Sequence, residues 1–171
     1  MSEILVSVDP GLRVCGVAIF EDRVLMDTRA VAHDCSHGPG QRTGMAGAVM
    51  DYVASKTEGV DSMVVELMVI RKDRGRSPSR GDVHADLIRL SHVTGAIWFE
   101  AERAYACSLV EMDPGRWTKG RKKKINHPRI VERLSPEEVE VLTAELKYTH
   151  AGSEKEILDA IGIGLYELGR L

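Results

Sequence analysis

The chain has 171 residues, of which 43% are hydrophobic and 29% are charged, and its formal net charge is −3. This composition is that of a soluble globular protein long enough to bury one core. It excludes a generally basic, histone-like protein, and no apolar run approaches the roughly 18 residues of a membrane helix. Because the three cysteines, Cys15, Cys35 and Cys107, lack CxxC spacing and the N-terminus lacks signal- or transit-peptide features, we expect the reducing cytoplasm.

Three apolar, β-branched segments open the chain. Residues 4–9 (ILVSVD) end at a Pro-Gly turn signal, and further segments follow at 14–20 and 23–32. Because only short connections separate these segments, we expect three strands that pair as an antiparallel meander. After a polar, glycine-rich stretch, apolar residues at helical spacing predict a helix over about 42–57.

The second half of the chain alternates strands with helices. We predict strands at 61–66 and 106–112, with a long helix at 82–104 between them. A helical crossover between two strands implies parallel pairing. Ser135 and Ser153 each begin a capping-box pattern, which predicts two further helices. The expected fold class is therefore α/β, with one mixed five-stranded sheet and helices on both faces.

Acidic residues occur where these elements are expected to converge. Asp9 and Glu66 each end an apolar strand, and adjacent parallel strands would bring both to the sheet edge where ligand sites lie. Asp159 lies early in the last helix, with Glu156 three residues before it on the same face. Converging carboxylates repel unless a cation compensates, and an all-oxygen site suits Mg²⁺ or Mn²⁺. Two such ions about 3.5–4 Å apart can catalyse phosphodiester hydrolysis.

Each acid also has a purely structural interpretation. Asp9 before Pro-Gly fits a turn residue, and Glu66 fits a solvated strand end. Glu156 is the third position of a capping box, and Asp159 fits the surface of an amphipathic helix. Spacing alone leaves both interpretations open for every one of them.

Positive charge is concentrated in two segments. Five of the 23 Lys and Arg residues lie between Arg71 and Arg80, and eight lie between Arg116 and Arg133. Such clustering in an acidic protein predicts contact with a polyanion, although a solvated surface is the alternative. Trp117, in the second segment, is either a stacking platform or a core anchor, and we favour the core. The candidate contact residues are Arg71, Lys72, Arg74, Arg76, Arg80, Lys119, Arg121, Lys122, Lys123 and Lys124.

Four segments of the chain resemble the RuvC family of Holliday junction resolvases. The opening, ILVSVDPGLRVCGVAIF, is similar to the family's apolar first strand, Asp-Pro-Gly-Leu turn and small-residue second strand. MVVELMVI resembles the fourth strand with its catalytic Glu, and GAIWFEA resembles the end of the long helix. EILDAIGIGLYEL resembles the terminal helix with its acid-x-x-Asp-Ala motif. The resemblance covers nearly the whole chain in order.

The resemblance implies a ribonuclease H-like fold in a single nuclease domain over residues 1–171. It also implies a homodimer that cleaves four-way DNA junctions by paired, symmetric nicks, and an isologous dimer would present two sites to such a substrate. By position, Asp9, Glu66, Glu156 and Asp159 would be the catalytic, metal-binding acids. The implied cofactor is Mg²⁺, with Mn²⁺ as a substitute and two ions per site.

The chain departs from the family pattern at two places. The family commonly has Asp or His at the position of Glu156, and Glu154 is the nearest substitute as a ligand. The loop after the fourth strand often carries a stacking aromatic residue, whereas no aromatic lies between residues 67 and 97. Met68, Ile70 or an arginine could take its place.

Two other functions remain compatible with the sequence. One is a different ribonuclease H-like nuclease, acting on flaps, single strands or RNA–DNA hybrids. The other is a non-catalytic protein that binds junctions. The acids argue against the second, because a binding protein gains nothing from carboxylates beside phosphate groups.

Overall fold

The computed structural model describes the backbone of residues 2–33, 39–67 and 80–171, and the side chains of residues 2–33, 44–67 and 85–171. Its strands are β1 (Ile4–Asp9), β2 (Val14–Glu21), β3 (Val24–Ala32), β4 (Ser62–Glu66) and β5 (Ser108–Met112). Its helices are α1 (Pro39–Ala54), α2 (Arg80–Tyr105), α3 (Pro114–Thr118), α4 (Lys123–Val131), α5 (Pro136–Leu146) and α6 (Glu154–Glu167). None of these helices in the described residues is long and apolar enough to cross a membrane.

The strands of the described residues form one mixed sheet in the order β3-β2-β1-β4-β5. β1 is antiparallel to β2, and β2 is antiparallel to β3, as predicted for the opening meander. β4 is parallel to both β1 and β5, as predicted for strands joined by a helical crossover. The predicted five-stranded mixed sheet is therefore confirmed.

A core lies on each face of the sheet, because the side chains of a strand alternate between its faces. Val6 and Val8 of β1 pack with α1 and α2 in one core. Leu5 of the same strand packs with α6 and with residues of α3, α4 and α5 in the other. β1 is thus covered on both sides, and its last residue, Asp9, lies where the sheet meets solvent.

The segment between β5 and α5 is more regular than the sequence indicated. We expected only a basic segment there, whereas the structure has the short helix α3 and the nine-residue helix α4. Pro128 lies inside α4, so the sequence pattern did not favour a helix. The directions of the basic side chains in this segment therefore depend on α3 and α4.

Only one of the two predicted capping boxes forms. Ser135 accepts a hydrogen bond from the backbone N–H of Glu138 at 3.3 Å, and the Glu138 carboxylate accepts one from the N–H of Ser135 at 2.8 Å. At Ser153 the predicted helix does begin, but the predicted capping box is absent. Its backbone is already helical, at φ −91° and ψ −7°, and its side chain makes no capping hydrogen bond. The carboxylate of Glu156 is therefore not used as a cap.

Candidate active site

Strands β1 and β4 place Asp9 and Glu66 side by side. The two strands are parallel neighbours with Val8 opposite Val65, so the next residue of each emerges at the same edge. Their carboxyl groups lie close enough for the negative charge of Glu66 to act on Asp9. Both line a cavity of about 310 Å³ at this edge. The full lining is Asp9, Pro10, Gly11, Val14, Glu66, Leu67, Leu90, Lys123 and Glu156.

Helix α6 brings two more acids to the same edge. Carboxylate oxygens of Asp9, Glu156 and Asp159 lie within 4.8 Å of one another, a grouping that could hold a metal ion. Asp159 is 2% exposed. Oε2 of Glu156 is buried and has no hydrogen-bond partner among the described residues. Glu154, the alternative ligand, is exposed and lies outside the group.

Glycine at position 16 allows α6 to approach the sheet so closely. A Cβ at Gly16 would overlap the backbone carbonyl of Glu156 and would lie 3.2 Å from the Cβ of Ala160. Next to this contact, the buried hydroxyl of Ser7 donates a hydrogen bond of 2.7 Å to the carbonyl oxygen of Ala160. The first turns of α6 are thereby fixed against β1 and β2, which places Glu156 and Asp159 above Asp9.

The acids destabilise one another's charged forms. Burial raises the pKa of Asp9 well above its ordinary value, and the negative charges of Glu66 and Asp159 raise it further. Burial also raises the pKa of Glu66, although hydrogen bonds to its carboxylate oppose this effect. A divalent cation among the oxygens would replace this repulsion with attraction. The oxygen-only donor set and the Glu156 oxygen that lacks a hydrogen-bond donor therefore fit Mg²⁺ or Mn²⁺.

Helix α4 supplies partners for Asp159. The ammonium of Lys123 donates a hydrogen bond to Oδ2 of Asp159 and lies 3.9 Å from Oε2 of Glu156. Nε2 of His127 lies 2.9 Å from Oδ1 of Asp159. Burial works against the charge of Lys123, but hydrogen bonding and the negative charge of Asp159 outweigh it and raise its pKa. Lys123 is thus part of the acidic site, although 57% of its side chain is exposed.

Sequence reasoning missed this role of Lys123 and did not select His127 at all. The available signal was their spacing: the two residues are four apart, which places them on one helical face once a helix is recognised there. The helix itself was not predicted, so the signal went unused.

Trp117 reaches the site from the core. Its side chain is 3% exposed, which confirms the interpretation as a core anchor. Its indole Nε1 donates a hydrogen bond of 2.6 Å to Oε1 of Glu66. The same side chain therefore packs in the core and contacts a candidate catalytic acid.

The predicted basic residues divide into three groups. The first group lies outside the described residues and consists of Arg71, Lys72, Arg74 and Arg76. Met68 and Ile70, the candidate replacements for the stacking aromatic residue, lie outside the described residues too. Arg80 begins α2, and its side chain is also outside the described part of the chain. In the second segment, the predicted contact residues Lys119, Arg121, Lys122, Lys123 and Lys124 are all exposed. Lys123, between them, is directed at the acids. Exposed positive charge therefore lies beside the candidate site.

No protein-family model matches the chain, and no curated protein matches it by sequence. Solved structures do match. The Thermus thermophilus RuvC in complex with a Holliday junction substrate has a TM-score of 0.57 and 13% identity, over 98% of this chain and 97% of that chain. A second Thermus thermophilus RuvC structure has a TM-score of 0.56 and 14% identity, over 97% and 96%. The chain therefore has the mixed α/β, ribonuclease H-like fold of RuvC, as predicted.

Proposed function

We propose that the protein is a metal-dependent endonuclease that resolves four-way DNA junctions by paired, symmetric nicks. The observation that carries this proposal is the group of Asp9, Glu156 and Asp159 at one edge of a RuvC-type sheet, with Glu66 outside that group but lining the same cavity. The similarity to RuvC in complex with a Holliday junction substrate supports the choice of DNA. The activity would be that of a crossover junction endodeoxyribonuclease, a hydrolase of phosphodiester bonds.

The four acids would hold Mg²⁺, or Mn²⁺ in its place, as one ion or two. A bound divalent cation supplies an acidified water and stabilises the charge that develops on the leaving oxygen. The chain itself holds the carboxylates together against their repulsion. Lys123 contributes a positive charge at Asp159 and also lines the cavity, where it could contact a phosphate of the substrate. His127 holds the other oxygen of Asp159.

The exposed cations next to the site would bind the phosphate backbone. Such contacts position DNA without reading its sequence, and they make affinity fall as salt is raised. Because Lys123 is engaged by the acids, we assign this role in the second segment to Lys119, Arg121, Lys122 and Lys124.

Replacing Lys122 and Lys124 together by alanine is expected to weaken junction binding and to flatten its salt dependence. If each residue contacts one phosphate, the negative slope of log K against log salt should become shallower by about 0.9 per residue. The measurement is junction affinity over a KCl series in Ca²⁺. The control is Arg103→Ala, which removes an exposed cation at the far end of α2, paired with Glu100. An unchanged slope in the double variant would place this cluster away from DNA.

We also propose a homodimer, because a two-fold junction calls for two sites at once. Helix α2 exposes the apolar side chains of Ile88 and Phe99, which are 57% and 65% accessible. A groove of about 400 Å³ runs along this helix past Leu87, Ile88 and Gly95. A Cβ at Gly95 would meet nothing within 4 Å, so the glycine leaves room for a partner. An apolar face of this kind favours contact with a second copy.

Ile88→Glu is therefore expected to convert the dimer into a monomer in sedimentation velocity experiments. Glutamate retains helix propensity and introduces an unpaired charge into the proposed interface. Met26→Glu is the matched control, because Met26 is an exposed apolar residue on β3 that does not line the groove along α2. A monomeric unmodified protein, with and without junction, would contradict the dimer.

Side-by-side digestion of a four-way junction, a flap, an RNA–DNA hybrid and a linear duplex tests the choice of substrate. We expect the junction to be cleaved selectively. Cleavage mainly of flaps or hybrids would assign the same fold to another nuclease activity. Tight junction binding without cleavage would favour the non-catalytic binding protein.

A further inference from the structure

The hydrogen bond between Trp117 and Glu66 differs in kind from the contact between Lys123 and Asp159. Its donor is a neutral indole N–H, 2.6 Å from Oε1 of Glu66. Lys123, by contrast, brings a full positive charge to Asp159. A neutral donor can orient a carboxylate without adding a charge that opposes the approach of a cation.

The indole ring is held from several sides. Asp113 caps the N-terminus of its helix α3: the Asp113 side chain accepts a hydrogen bond of 2.5 Å from the backbone N–H of Gly115. Gly162 of α6 lies against the ring: a Cβ there would be 2.8 Å from Cζ3 of Trp117 and 2.7 Å from Cδ1 of Ile130. The ring therefore occupies a space bounded by α4 and α6, and packing keeps its N–H directed at Glu66.

We propose that Trp117 is a positioning residue for metal binding: it holds one oxygen of Glu66, so that the other oxygen is presented to Asp9 and the cation. This inference rests on the proposed function, since it assigns Glu66 as a ligand. Hydrogen-bond partners of metal ligands typically change metal affinity or activity by about 10–100-fold when removed. Trp117 acts through Glu66 and contacts no substrate in this account.

The test is Mn²⁺ binding to the folded protein, measured by isothermal titration calorimetry without DNA or turnover. Trp117→Phe retains most of the ring and lacks the N–H, and we expect it to bind Mn²⁺ about tenfold more weakly. The matched control is Tyr52→Phe, which removes a neutral donor 2.8 Å from Oδ1 of Asp27 on β3. We expect its Mn²⁺ affinity to equal that of the unmodified protein.

A double-mutant cycle with Glu66→Ala separates positioning from a general loss of packing. If Trp117 acts through Glu66, Trp117→Phe should cause no further loss of affinity in the Glu66→Ala background. The same tenfold loss in both backgrounds, or no loss in either, would overturn the inference and leave the proposed function standing. Absence of Mn²⁺ binding by the unmodified protein would overturn the proposed function, and this inference with it.

Fluorescence tests the same contact without changing Trp117. The chain has two tryptophans, so Trp98→Phe leaves Trp117 as the sole source of tryptophan emission. Mg²⁺ should change its emission, with the dissociation constant that calorimetry gives for Mg²⁺ and the same variant, because the cation withdraws charge from the carboxylate that the indole contacts. An emission that stays constant through saturation would contradict the proposed coupling, even if Trp117→Phe did not fold.

Discussion

Asp9→Asn should abolish cleavage of a four-way junction while leaving junction binding intact or tighter. The carboxamide cannot supply the charge that a divalent cation requires, and we expect a loss on the order of 10²–10³-fold or more. Binding should persist, because the substitution removes a negative charge from beside the phosphate groups. Single-turnover cleavage in Mg²⁺ and gel-shift affinity in Ca²⁺ measure the two effects separately.

Two neighbouring acids on α6 provide the controls for this experiment. Glu156→Gln should reduce cleavage strongly, because its carboxylate lies within the group of converging oxygens. Glu154→Gln should cleave normally, because Glu154 is exposed and outside that group. The reverse result would make Glu154 the ligand. Loss of both binding and cleavage in Asp9→Asn would instead indicate a folding role for Asp9.

Asp9→Asn also has an expected effect on the stability of the protein in the absence of metal. The pKa of Asp9 is raised in the folded chain, so the folded state binds this proton more tightly than the unfolded state does. The free energy of unfolding therefore falls as the pH rises from about 4, the ordinary range of an aspartate, towards the folded pKa. At neutral pH, Asp9→Asn should be at least as stable as the unmodified protein without metal, and it should lose the stabilisation that Mg²⁺ gives.

Gly16→Ala should both destabilise the protein and disable the site. The added methyl group would overlap the backbone carbonyl of Glu156, which cannot move without displacing the start of α6. Overpacking of this kind typically costs about 1–3 kcal/mol, and a clash with backbone can cost more. Urea unfolding and cleavage rate are the two measurements, and both should fall.

Gly47→Ala is the matched control for Gly16→Ala. A Cβ at Gly47, inside α1, would meet nothing within 4 Å. Alanine is favoured over glycine in a helix interior by roughly 0.5–1 kcal/mol, so this variant should gain stability and keep its activity. If Gly16→Ala were as stable and active as Gly47→Ala, α6 could not approach β2 as closely as described.

The positions of the two acids on the strands could be predicted, because the strand ends are set by local sequence patterns. Apolar runs that end at turn signals define β1 and β4, and the parallel pairing of those strands brings their last residues together. Asp9 and Glu66 meet for that reason alone. The last helix and its acids, Glu156 and Asp159, were also identified from the sequence, but only the resemblance to the RuvC family implied that they join the acids of the strands.

The remaining contacts depend on tertiary packing, which the sequence does not encode locally. Glu156 fits both a capping box and a ligand site, and the backbone conformation of Ser153 decides between them. Lys123 is one of four consecutive basic residues, and the start of helix α4 directs its ammonium group at Asp159. The hydrogen bond from Trp117 spans 51 residues of sequence, so no local pattern could reveal it.

We propose that Asp9, Glu66, Glu156 and Asp159 together cleave junction DNA with a divalent metal. The most direct test of this proposal is cleavage of a labelled synthetic four-way junction by the unmodified protein in Mg²⁺, Mn²⁺, Ca²⁺ or chelator. We predict paired nicks at symmetric positions on two opposed strands, in Mg²⁺ and Mn²⁺ only. Tight junction binding with no cleavage in any metal, or cleavage that persists in chelator, would contradict the account.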